Sequence, residues 1–317
     1  MIKPVILALL LLLLGGCSDS PPPKVVLAIN PWPGYEILYL ASQKGFLAEE
    51  GLNIELAQVA TLSDAQRAYL SGRVSGFTST MIEAVQVEAL GGKPVKVVLA
   101  ADYSNGGDVI LAHSNLPDVK SLKGKTVGCE VSSLGIYVLN RALAANGMSL
   151  DDVKVINVEQ GDGGRMLESG EIVAMVSYPP YSFAILKESH SHLIFTTREI
   201  PGEILDTISI DADILATQPD FVPRLRRAWQ KALDYFQAQP EEAIAMMAQR
   251  EGISPDEFQA AINDLYLLNT ADQQKMFDDV SKLENMARSV CTTLKHIDAV
   301  EGDCSHVIGM FDVSGGR

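Results

Sequence analysis

Short β-rich apolar runs alternate with helical stretches over the first two thirds of this chain, and that order restricts the fold more than any other feature. The run KVVLAIN at 24–30 ends in the turn PWPGY at 31–35 and is followed by a helical stretch over 36–44; 53–59 reads as a second strand. Ser63 with Gln66 has the spacing of a capping box opening a helix that ends near Ser71-Gly72. A strand over 74–78 leads into a helix over 81–90 closed by Gly91-Gly92, and 95–101 is the next strand. Strands joined by helices over short connections call for an α/β protein with a mainly parallel sheet flanked by helices. The order then restarts, with strands over 109–112 and 125–130, Ser132-Ser133 before a helix to Ala145, a strand over 154–158, a helix to Glu168 and a strand over 172–176. SGRVSG at 71–76 and SGEIVA at 169–174 echo each other, a helix end, a Ser-Gly turn and a short strand in each half. From Leu215 onward the pattern is nearly all helical: Pro240 opens one helix, SPDE at 254–257 another, and Thr270 with Gln273 is spaced as a further capping box. Met246, Met247, Tyr266, Leu267 and Leu268 are spaced for helical core packing.

Composition narrows the partners. Forty acidic against 25 basic residues give a formal net charge of -15, and no basic run interleaves with aromatics, which argues against nucleic acid. His190 and His192 form a lone His-x-His and the other histidines are scattered, so neither a metal nor a cofactor is expected. GDGG at 161–164 follows a strand but lacks the dinucleotide fingerprint, and there is no G-x-S-x-G elbow and no P-loop. No catalytic residue is expected.

The N-terminus reads as an export signal. Lys3 precedes an apolar run over 5–14 that is too short for a stable span, and LGGC at 14–17 resembles the lipobox of bacterial lipoproteins. That resemblance makes 1–16 a signal peptide, Cys17 the lipid-attachment residue and 17–23 a proline-stiffened tether to a membrane on the periplasmic side of the cell envelope. Ser18 fits outer-membrane sorting and Asp19 is one position late for inner-membrane retention, so both membranes stay open. In an oxidising envelope Cys291 and Cys304 could close a disulfide, whereas Cys129, inside a strand-like run, is expected to be a buried thiol.

Four stretches carry a wider likeness: NPWPGYEILYLASQKGFLAEEGLNIEL at 30–56, YLSGRVSGFTSTMIEAV at 69–85, VVLAADYSNGGDVIL at 97–111 and SLKGKTVGCEVSSLGIYVL at 121–139. Together they resemble periplasmic substrate-binding proteins of the nitrate/sulfonate/taurine and thiamine-precursor (pyrimidine) ABC transporter family. The resemblance implies a type II periplasmic binding protein with two lobes, the first from 24–104 and 209–317 and the second from 105–208, with crossings near 105–108 and 202–208. It implies a monomer that captures a small organic solute between the lobes and delivers it to an ABC permease. Ligands of open α/β sheets bind beyond the carboxyl ends of strands.

On that frame the expected ligand-binding residues are Trp32 and Tyr35 after the first strand, Thr78, Ser79 and Thr80 before one helix, Ser132 and Ser133 before another, and Tyr103, Glu130, Tyr178 and Asp206 at strand ends and hinge. The hydroxyls stand where helix starts offer free N–H groups, which suits an acceptor. The acids Asp102, Asp108, Glu130 and Asp206 suit an amino group or a ring N–H. Relatives often carry Asp where this chain has Ser75 and Val173, and no arginine lies in these loops, Arg165 being the nearest. The solute is therefore expected to be an aromatic heterocycle, an amine or a sulfonate-like compound, and a ring, an amine or both fit better than a bare inorganic anion. Two other functions share the frame: a sensing module that docks on a membrane signalling protein, and a pyrimidine-synthase-like enzyme, although the histidine- and cysteine-rich segment associated with that chemistry is absent.

Overall fold

The computed structural model describes residues 23–312, so Cys17 and the expected leader lie outside the described residues. The chain starts in β1 (Val25–Ile29), whose β-branched and aliphatic residues are almost wholly buried, and continues through β2 (Ile54–Gln58), β3 (Gly76–Thr80) and β4 (Val95–Ser104). It then leaves this sheet and builds a second one from β5 (Val109–His113), β6 (Thr126–Cys129), β7 (Lys154–Asn157), β8 (Ala174–Ser177) and β9 (Ser191–Thr196). It returns in β10 (Leu205–Asp211) and adds β11 (Leu265–Leu267). The strand orders are β11-β4-β10-β3-β1-β2 and β7-β6-β8-β5-β9.

In each sheet the strand entered after a crossing runs against the others beside it. β10 is antiparallel to both β3 and β4, and β5 is antiparallel to both β8 and β9, while β1 with β2 and β3, and β6 with β7 and β8, pair in parallel. This places the loops after β1, β3 and β4 on the same side of the first sheet as the two crossings. The C-terminal helices complete the first lobe. The helix Phe221–Ala238 buries Phe221, Leu225, Trp229 and Leu233, and the Trp229 indole N–H donates to the Leu268 carbonyl at 2.9 Å. Cys291 and Cys304 are disulfide-bonded, with Cα atoms 6.0 Å apart, and the free Cys129 is buried.

Several local expectations shift, each for a visible reason. Thr61, not Ser63, caps the helix Leu62–Leu70: its extended backbone lets its hydroxyl accept from the Asp64 N–H, whereas Ser63 sits inside the first turn and points elsewhere. Asn269 with Asp272 replaces the expected Thr270–Gln273 box, because the Gln273 amide is used to pair with the Ala100 backbone inside the core. β4 runs on to Ser104 because both β10 and β11 pair with its last residues. β10 is already in the first sheet at Leu205, so 205–208 belongs there and not to the second lobe. Residues 265–267 form a strand, not a helix, and leave Tyr266 58% exposed. Among the described residues no helix is long and apolar enough to cross a membrane.

Candidate functional site between the lobes

The pairing register lines up Thr80, Asp206 and Asp102 across β3, β10 and β4, at the edge of the first sheet that faces the second lobe. The loop after β1 folds back onto this row. The Trp32 indole N–H donates to Asp102 at 3.2 Å, and the Tyr35 hydroxyl donates to Asp206 at 2.6 Å. Gly34 makes this possible: a Cβ there would lie 1.8 Å from an Asp102 carboxylate oxygen. The base of the loop is pinned by a buried ion pair between Glu36 and Arg250, whose guanidinium also donates to the Ile29 carbonyl at 3.3 Å.

The first crossing passes directly over Trp32, since a Cβ on Gly107 would lie 2.6 Å from its ring. Ser104 and Thr197 tie the crossing down: their hydroxyls pair at 2.8 Å, the Gly106 N–H donates to Thr197, and the Asp108 N–H donates to Ser104. Asp108 is thereby held at the crossing with its side chain buried, and neither of its carboxylate oxygens meets a partner in hydrogen-bonding geometry.

The second lobe contributes Tyr178 and Glu130. The Tyr178 ring stands edge-on to Trp32 with centroids 6.1 Å apart and to Tyr181 at 5.8 Å, so three aromatic rings run from one lobe to the other. Its hydroxyl accepts from the Leu62 N–H of the first lobe, and the Tyr181 hydroxyl donates to the Ala60 carbonyl at 2.7 Å. Ser63 reaches across to Ser133 at 3.1 Å and to Ser132 at 3.3 Å. These contacts make this a closed arrangement: Trp32, Tyr35, Glu83, Asp102, Asp108, Glu130, Tyr178 and Asp206 are all buried.

Glu83, absent from the residues expected from the sequence, sits at the centre of the closure. One oxygen accepts from the Thr80 N–H and hydroxyl, capping the helix Met81–Ala89; the other accepts at 2.7 Å from the N–H of Leu134, the first residue of the helix Leu134–Ala145. A carboxylate of the first lobe thus occupies the helix start of the second. The sequence held one signal for it, the Thr-x-x-Glu spacing of 80 to 83.

The expected residues divide accordingly. Trp32, Tyr35, Glu130, Ser132, Ser133, Tyr178 and Asp206 meet at the interlobe boundary, although Ser132 is exposed. Thr80 spends its hydroxyl on Glu83, and Thr78 donates to Asn30 at 2.9 Å. Ser79 points to the other face of β3, where Thr207 and Ser209 engage it. Tyr103, one residue past Asp102 within β4, is likewise turned to the opposite face with its partner Leu205, since side chains alternate along a strand.

The site is strongly acidic. Burial, opposed by the Trp32 and Asp206 hydrogen bonds, pushes Asp102 up to about 8; burial, with Ser104 opposing and Glu83 adding to it, pushes Asp108 to about 7. Asp206 and Glu83 are raised for the same primary reason, and burial lifts Glu130 to about 7. Beside burial and hydrogen bonds, the leading charges acting on Asp102, Asp108 and Asp206 are those of one another and of Glu83. Cys129 lies beside Gly135 in the helix Leu134–Ala145, and burial pushes its thiol to about 12, which leaves it an unreactive thiol.

Comparisons with known proteins fit this architecture. The family model NMT1/THI5 like matches residues 32–243. A Haemophilus influenzae protein named for thiamine biosynthesis is 24% identical over 235 residues, covering 74% of each chain. The 4-amino-5-hydroxymethyl-2-methylpyrimidine phosphate synthase of Aspergillus parasiticus is 27% identical over 225 residues, 67% of this chain and 66% of that protein. Among solved structures, the alkanesulfonate-binding protein SsuA from Xanthomonas axonopodis pv. citri bound to MOPS superposes with a TM-score of 0.77 at 14% identity, covering 93% of this chain and 99% of its own. The periplasmic nitrate-binding protein NrtA from Synechocystis gives 0.71 at 14% identity, with 90% and 84% covered. The fold is that of the periplasmic binding proteins, and, with its family model spanning more than half of the sequence, the chain belongs to the NMT1/THI5-like family.

Proposed function

We propose that this protein is a lipid-anchored extracytoplasmic receptor that closes its two lobes on a small organic solute and presents the closed form to the permease of an ABC importer. The observation that carries the reading is the buried interlobe wall: Trp32, bonded to Asp102 beside the Tyr35–Asp206 pair, meets Tyr178 of the other lobe, and Glu130 and the crossing residue Asp108 are buried with them. A two-lobed cleft that buries its polar and aromatic wall on closing is suited to capturing a solute and releasing it on opening. Cys17 would hold the folded body at the membrane.

The relatives named as pyrimidine phosphate synthases give a second reading, in which the captured molecule is transformed. The nearby Cys129 thiol is inert, and the carboxyl groups of the wall suit either reading, so the fate of the bound molecule decides. Thermal-shift screening of residues 24–317 against pyrimidines, amines, sulfonates and nitrate separates the two. A solute at 100 times its dissociation constant adds about 2.7 kcal/mol, and mass spectrometry of the recovered solute must return it unchanged. A transformed solute would favour the enzyme. Metabolic labelling with a radioactive fatty acid should mark the full chain and fail to mark Cys17→Ala; equal labelling of both would remove the anchor.

A further inference from the structure

We propose that the solute is a small organic cation, an ammonium or protonated heterocycle carried on a flat ring, and not an anion. This rests on the receptor reading above and names the chemical class of its ligand. Neither carboxylate oxygen of the buried Asp108 is hydrogen-bonded, and one oxygen each of Asp206 and Glu130 is also without a partner. Buried polar groups in a folded protein are paired, and unpaired buried carboxylates call for a donor that arrives later. The cations nearest these acids are engaged elsewhere: Arg250 with Glu36 at the foot of the Trp32–Tyr35 loop, Arg198, beside Gly106, with Asp264, and Arg67 with Asp64 and Glu159; the leading charges on Asp102, Asp108 and Asp206 are those of further acids.

The first N–H an anion would use is already taken from within. The helix start at Leu134 is the natural acceptor site of the second lobe, and Glu83 already takes its N–H at 2.7 Å. A sulfonate or nitrate placed there would displace the Glu83 carboxylate, whose charge Asp108 and Asp206 already feel. A cation meets the reverse situation, with carboxylate oxygens in need of donors and the rings of Trp32 and Tyr178 to receive a flat or positively charged group. Burial raises Asp108 and Glu130 to about 7 and Asp102 to about 8, so near neutral pH a cation that engages them displaces protons. Its affinity therefore rises with pH, by up to about tenfold per unit for each proton displaced, as Asp102, Asp108 and Glu130 give theirs up; an anion would show the opposite trend. The tyrosines Tyr35 and Tyr178, raised well above the ordinary phenol value by burial, stay protonated throughout.

The test is a thermal-shift and calorimetric comparison at pH 6 and pH 8. The probes are 4-aminopyridine, benzylamine and aminomethylpyrimidines on one side, and benzenesulfonate, MOPS and nitrate on the other. The expected result is a melting shift from at least one cation, tighter binding at pH 8 than at pH 6, and a loss of about 30-fold or more in affinity on Asp108→Asn or Asp206→Asn. Asp108→Asn removes the charge, keeps the shape and leaves an amide oxygen beside the Ser104 hydroxyl, so it keeps the test open should Asp206→Asn fail to fold. A shift from the anions alone, a shift from none of the cations, or a cation affinity unchanged in Asp108→Asn overturns the proposal. An anion bound and returned intact would leave the receptor reading standing, whereas conversion of a bound probe would strike at that reading itself.

Discussion

Asp108→Asn in the ligand-free protein should produce a gain in stability that depends on pH in a direction opposite to ordinary acid denaturation. Burial raises this carboxyl from its ordinary 3.8 to about 7 in the folded chain, so folding binds its proton more tightly than unfolding does. The favourable contribution is fully present below about pH 4 and is lost as pH rises through about 7; at pH 8 the cost approaches about 4 kcal/mol. Because the lobes can part and admit water, the free energy of opening caps that figure, and we expect about 1–3 kcal/mol to be observed. Asparagine has no proton to lose and keeps a similar shape, so it should match the wild type near pH 4 and exceed it by this amount at pH 8. Urea unfolding followed by tryptophan fluorescence from pH 4 to 8.5 measures the difference directly. Other carboxyls, such as Glu257, held at about 2 chiefly by Lys187, titrate at the acid end and cancel between variant and wild type. A variant less stable than wild type at pH 8, or a difference that does not grow with pH, would refute the claim that this carboxylate is buried without a partner.

Trp32→Ala removes the ring that meets Tyr178 and frees Asp102; stability should fall by about 3–5 kcal/mol and the ligand-induced melting shift should vanish, while an intact shift would place Trp32 outside the site. Gly34→Ala puts a methyl 1.8 Å from an Asp102 oxygen, so the loop must move; we expect a loss of about 1–3 kcal/mol and weakened solute binding, and wild-type behaviour in both measurements would show slack in the loop. Cys291→Ser opens the bridge to Cys304 and should cost on the order of 3 kcal/mol, matched by reduction of the wild type; an unchanged melting temperature under reductant would show that the bridge carries no stability.

Much of this arrangement could be read along the chain because it depends on local periodicity. The alternation of strands and helices, its restart in the second half and the helical tail follow from which residues can bury a face, and the aromatic loop at 31–35 announced itself by composition. Short-range chemistry had limits even so. Thr61 and Ser63 both have capping side chains, and only the position of the second lobe decides that Ser63 is needed for Ser133 instead. Tyr103 looked like a strand-end residue until β10 and β11, from much later in the chain, extended β4 past it and turned its ring away.

The chemistry of the cleft belongs to tertiary structure. Acidic residues at 83, 102, 108, 130 and 206 are ordinary surface-forming residues when viewed one at a time, separated by stretches in which they could each have met water. Two crossings and a register that aligns Thr80, Asp206 and Asp102 bring them together in a dry seam. Exclusion of water, a property of the closed lobes and of no single segment, raises their proton affinity and leaves Asp108 without a partner. Local sequence decides which faces seek burial; the meeting of the lobes decides which charges lose their solvent.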